Sequence, residues 1–214
     1  MVNGFMQQPE RAIDWSFASR PLPGEKVSGD LHVVHPFTQG VLVAVVDGLG
    51  HGQEATAAAR TAAHTFTSHA DQSIISLIKR CHEALAKTRG ATITVASLNV
   101  FDGTMTWLGI GPVEGHLLRA DARANPPTEV VLLRGGVVGY QLPALQASLI
   151  PLFPGDLLIL ASDGIRSGFS EGLTTTDPPQ QIAERILSAH FKGNDDALVL
   201  VVRYLGLSHE GSAK

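Results

Sequence analysis

The run from Gly40 to Asp47, Gly-Val-Leu-Val-Ala-Val-Val-Asp, constrains the fold more than any other segment. β-Branched side chains are stiff in a helix and pack well on a pleated surface. Here neither alternation of side chains carries a polar residue before Asp47, so the strand must be covered on both faces. A chain built around such a strand needs layers above and below it. The run also ends in a carboxylate and then a glycine turn, Gly48 to Gly52, which sets an acid at the edge of a buried strand.

The flanking sequence supplies the layers. Ile13 to Ser19 and Leu31 to Phe37 read as strands separated by a Pro- and Gly-containing turn. Gln53 to Ala70 is alanine-rich and predicts a helix with a small-residue surface. Asp71 is placed to cap a second helix, in which Ile74, Ile75, Ile78, Cys81, His82 and Leu85 share a face. Thr92 to Val100, Thr104 to Ile110, Gly115 to Leu118, Glu129 to Leu133 and Ser148 to Leu152 read as an antiparallel meander. Leu157 to Ser162 is an apolar strand entering Asp163; Pro178 to Phe191 is helical, and Ala197 to Tyr204 is a last strand. Antiparallel strands with helices in pairs predict an α+β sandwich, helices outside two packed sheets.

The chain has 214 residues and 44% hydrophobic composition, enough for one domain, expected over residues 1–207 with a flexible tail at 208–214. A net charge of −4 without a basic block gives no reason to expect nucleic acid as a partner. No apolar run is long enough to span a bilayer, and the first residues lack a signal-peptide pattern, so a cytoplasmic protein is expected. The single cysteine, Cys81, reads as a buried apolar side chain.

Four segments place acids at strand ends or glycine turns: Ser28-Gly29-Asp30, Asp47-Gly48, Ser162-Asp163-Gly164 and Gly193-Asn194-Asp195-Asp196. One Asp-Gly at a strand end is ordinarily only a turn. Several together point to oxygen ligation of a hard cation, manganese or magnesium; zinc would need a His/Cys cluster, and the nine histidines show no ligand spacing.

These motifs, with the Arg89-Gly90-Ala91-Thr92 turn between them, occur in an order that resembles the metal-dependent protein phosphatases of the PP2C superfamily, in particular the compact bacterial SpoIIE-like and RsbX-type branch. The resemblance covers almost the whole chain and implies an αββα sandwich of two mainly antiparallel sheets flanked by helix pairs. It also implies two metal ions, with Asp47 bridging them, the Gly48 carbonyl on one, and Asp30, Asp163 and Asp195 completing the set. Asp196 stands where many relatives have asparagine and ranks below Asp195 as a ligand. Leu49 stands where larger relatives carry a candidate acid histidine, so His51 is either a phosphate contact or proton donor, or an exposed turn residue. Leu198 departs from the family's usual Thr or Ser, and no N-terminal arginine matches the phosphate-binding one of larger relatives.

What the resemblance implies for function is serine/threonine phosphoprotein hydrolysis in which the aspartates fix cations and are not nucleophiles. With no room for a sensor module, the RsbX-type role is expected: dephosphorylation of STAS-domain proteins of a stressosome. An anti-anti-sigma factor is the alternative substrate. An inert phosphoprotein-binding module and an ATP-binding histidine-kinase-like domain are the readings of other classes; the second lacks the asparagine-bearing helix it would need.

Overall fold

The computed structural model describes residues 9–207, so the tail expected at 208–214 lies outside the described residues. A 3-10 turn, Pro9–Ala12, leads into β1 (Ile13–Arg20), β2 (Asp30–Phe37) and β3 (Gly40–Gly48). Helices α1 (Gly52–Ser68) and α2 (Ile74–Leu85) follow, then β4 (Ala91–Asn99), β5 (Thr104–Ile110) and β6 (Glu114–Leu118). β7 (Thr128–Val130), β8 (Leu133–Arg134), β9 (Ser148–Pro151), β10 (Leu157–Ala161), α3 (Pro179–His190) and β11 (Ala197–Tyr204) complete the order.

The strands form two packed sheets, β1-β11-β10-β6-β7 and β2-β3-β4-β5-β8, with β9 also pairing β5. All pairs are antiparallel except β5 with β8. The strict alternation of β3 divides its side chains between two cores. Val41, Val43 and Val45 meet Leu158, Leu160, Leu198 and Leu200 between the sheets. Leu42, Ala44 and Val46 meet Ala58, Ala59, Ala62, Leu77 and Ile78 under α1 and α2. Each buried Val or Leu is worth about 1.5–3 kcal/mol, which locks the register, since a one-residue slip would exchange the faces. Ala55, Ala58, Ala59 and Ala62 of α1 are fully buried and let that helix seat closely, and Cys81 is buried as an apolar residue.

Three details differ from the sequence expectations. The cap of α2 is Ser73, which is extended and whose side chain accepts the Ser76 amide; Asp71 lies in the preceding turn, too early to reach the first donors of the helix. The strand expected over Glu129–Leu133 divides, because after Val131 bonds to Gly115 the chain leaves β6 for β5 in the other sheet. The outer face of the first sheet carries α3 alone instead of a helix pair among the described residues, packed on Ile159, Val199 and Val201.

Candidate metal centre

Asp30 and Asp47 are directly opposed on β2 and β3 and therefore project from the same face. That face is the interior of the sandwich, because Asp47 continues the alternation of Val41, Val43 and Val45. The same parity runs from Leu158 and Leu160 on β10 to Ser162 just after it, and from Leu200 and Leu198 back to Asp196 before β11. At one edge of the sandwich the inner layer thus turns from apolar to polar on both sheets at once, and Asp163 and Asp195 flank it.

Hydrogen bonds fix this layer. Thr92, opposite Asp47 on β4, donates to Asp47 Oδ2 at 3.1 Å. Ser162 Oγ donates to Asp30 Oδ2 at 2.6 Å, bridging the sheets, and accepts the Leu198 amide at 2.8 Å. Asp196, 3% exposed, accepts the amides of Leu22 and Gly29, each at 2.7 Å and each on a different oxygen. It is the anchor of the Arg20–Gly29 turn against β11, and both its oxygens have partners. The Asp196 amide in turn donates to Asp195 Oδ1 at 2.8 Å.

The glycines after the two strand-end aspartates admit other chain segments. A Cβ on Gly48 would lie 2.1 Å from the Ala55 carbonyl oxygen in α1, and one on Gly164 would lie 1.9 Å from the Asp196 carbonyl oxygen. Neither has positive φ, so close approach and not backbone conformation requires glycine. Gly164 is what lets the Asp195-Asp196 turn lie against Asp163.

Burial and mutual repulsion raise the carboxyl pKa values. Asp30 is pushed up to about 8, first by burial, then by Asp47 and further by Asp196 and Asp163, against the Ser162 hydrogen bond. Asp47 rises to about 7, by burial and then by Asp163, against the Thr92 hydrogen bond and with Asp195 and Asp196 adding to the rise. Asp163 is raised by burial and Asp195, and lowered by Lys192. Buried like charges are expensive without a counter-charge, and a bound cation removes both causes of the shift.

The donor set fits a hard divalent ion, since it is all oxygen. Among the described residues no group of three or more His, Cys, Asp or Glu side chains surrounds one point. A hard ion held here would combine carboxylate oxygens with water or a backbone carbonyl such as Gly48. Magnesium and manganese accept that arrangement readily.

Three residues complete the edge. His51 precedes α1 in extended conformation, with its Nδ1 2.7 Å from Glu25 Oε1 and 60% of its side chain exposed. It is bonded to the turn ahead of Asp30 and to none of the aspartates. Arg89 reaches over Gly50 and pairs with Glu54 at 2.5 Å. Lys192 was not singled out by sequence; its signal is that it stands just before Gly193-Asn194-Asp195, and its Nζ lies 2.5 Å from the Asp163 carbonyl oxygen.

The family described as Stage II sporulation protein E (SpoIIE) is matched over residues 38–205. The phosphoserine phosphatase RsbX of Bacillus subtilis (strain 168) is 28% identical over 90 residues, 42% of this chain. That match spans 45% of the length of RsbX. A structure from work on the bacterial stressosome as "a modular system that has been adapted to control secondary messenger signaling" is similar with a TM-score of 0.81 and 25% identity, over 89% of this chain and 99% of that one. The crystal structure of RsbX in complex with magnesium is similar with a TM-score of 0.79 and 20% identity, over 92% and 96% of the two chains.

Proposed function

The chain belongs to the SpoIIE family, and from that premise we propose that it is a metal-dependent serine/threonine phosphoprotein phosphatase acting on phosphorylated STAS-domain proteins of a stressosome. The observation that carries this reading is the buried, mutually repelling layer of Asp30 and Asp47 with Asp163 and Asp195 beside it, at one edge of the sandwich. Its oxygen chemistry calls for divalent cations, manganese or magnesium, and the relative named as a phosphoserine phosphatase supports the reaction class. The similarity to a structure from stressosome work supports the substrate class.

Two divalent cations supply acidity to water and neutralise charge on a phosphoryl group. The protein's part is to hold them. Asp47 is suited to the shared position, since it faces Asp30 within its own sheet and feels Asp163 and Asp195 from the other. Asp30 bridges the sheets through the oxygen held by Ser162 and would offer its other oxygen to a cation. Asp163 and Asp195 would hold the ions from the other sheet, with the Gly48 carbonyl as a further oxygen ligand. Asp196 positions this set and is not itself a ligand.

The test is phosphate release from a serine-phosphorylated STAS protein with manganese, magnesium or chelator, beside Asp47→Asn. Release that needs metal and vanishes in the variant is expected. Because no group of three or more His, Cys, Asp or Glu side chains gathers around one point among the described residues, an inert phosphoprotein-binding module is the second reading. It predicts binding of the phosphorylated protein without release under any metal. Release from a phosphorylated anti-anti-sigma factor but not from the stressosome protein would keep the chemistry and replace the substrate.

A further inference from the structure

We infer that Lys192 is the phosphate-binding cation of this centre. The inference rests on the phosphatase reading for its biological meaning, but its geometry stands apart from it. Two hydrogen bonds pin the residue to the Asp163-Gly164 turn: its amide donates to the Gly164 carbonyl at 2.9 Å and its Nζ to the Asp163 carbonyl at 2.5 Å. An ammonium has three donors, so two remain for a ligand at the carboxylate layer.

Two neighbouring cations at this edge are already engaged. Arg89 is paired with Glu54, and the Arg20 guanidinium lies 5.0 Å from the Phe191 ring centroid. Lys192 is exposed and has no ion-pair partner among the described residues.

Charge balance gives this position its use. Four ionised aspartates match two divalent cations, so an arriving phosphate dianion meets no net positive charge unless the protein supplies it. Lys192 supplies it from the lip of the site, where it repels an incoming metal ion slightly and attracts the phosphoryl oxygens. A point charge on a flexible stem suits this task.

The two effects have opposite signs and make the test specific. In Lys192→Met, binding of inorganic phosphate to the manganese-loaded protein, measured by calorimetry, should weaken about tenfold, the scale of one charge-assisted hydrogen bond. Binding of manganese alone should tighten about threefold, since a neighbouring positive charge is gone. Lys192→Arg should restore phosphate binding. Unchanged phosphate affinity in the Met variant would overturn the inference, as would wild-type protein that binds no phosphate with manganese present. Weakening of both ligands would reduce Lys192 to a structural residue of the turn. Phosphate binding with this pattern in a protein that hydrolyses no phosphoprotein would instead leave Lys192 in place and sink the phosphatase reading.

Discussion

Ser162 Oγ and Asp30 Oδ2 lie 2.6 Å apart and join the two sheets at the carboxylate edge. The serine is 1% exposed and also accepts the Leu198 amide, so a single hydroxyl serves the backbone of one sheet and a candidate metal ligand of the other. Ser162→Ala leaves that amide without its acceptor and frees the Asp30 carboxylate. A loss of about 1–3 kcal/mol in urea unfolding is expected, together with weaker manganese binding. A variant as stable as wild type would mean that the bond does not couple the sheets.

The pH dependence of the metal-free protein follows from the raised carboxyls. Asp30 and Asp47 keep protons up to about 8 and about 7 in the fold, against 3.8 ordinarily. A carboxylate with a raised folded pKa binds more protons folded than unfolded across this interval, so stability falls as pH rises. The cost is absent below the ordinary value and complete above the raised one. Melting temperature in chelator should therefore decline from about pH 5 to about pH 8, with a shallower decline in Asp30→Asn. Manganese affinity should rise over the same range, because the cation displaces those protons. An Asp30→Asn slope equal to wild type would remove Asp30 from this account.

Removing a charge that the metal-free fold does not want should also stabilise it outright. Asp30→Asn keeps an acceptor for Ser162 and should melt several degrees higher than wild type in chelator near pH 8, about 5 °C if the gain is one to two kcal/mol. In manganese the order should invert. Function and stability conflict at this residue, and the two melts measure the conflict.

Asp196 separates ligation from positioning. Asp196→Asn retains one acceptor where the Leu22 and Gly29 amides use two, at a cost of about 1–3 kcal/mol. Since the same anchor holds the segment leading into Asp30, manganese binding should weaken but survive, whereas Asp47→Asn should abolish it with little loss of stability. Equal loss of manganese binding in both variants would make Asp196 a ligand.

For His51 the contact with Glu25 predicts a modest role. His51→Ala should hydrolyse an activated aryl phosphate at close to the wild-type rate and lose stability only slightly, because the pair is exposed. A selective collapse of turnover on a phosphoprotein, whose serine leaving group needs a proton, would establish the proton-donor reading instead.

Much of this protein could be read without coordinates because β structure writes its geometry at a period of two. The run from Gly40 to Asp47 announces a doubly covered strand, and β5 and β11 lie where their alternation places them. The aspartate motifs identify a family in which 38–205 is matched. The division of Glu129–Leu133 between two sheets was hidden, since local propensity does not say which sheet a residue joins. Asp196 was ranked as a weaker ligand by its motif, yet its work is to receive two amides from a turn more than 160 residues away. Lys192 carries no local signal beyond its neighbours, and only the close approach permitted at Gly164 sets it over Asp163. Which residues are strand or helix follows largely from neighbours along the chain, and which are acids from residue identity alone. Which acids share a charge, which one bridges the sheets and which cation faces them were decided by packing two sheets face to face, because such couplings depend on distance through space.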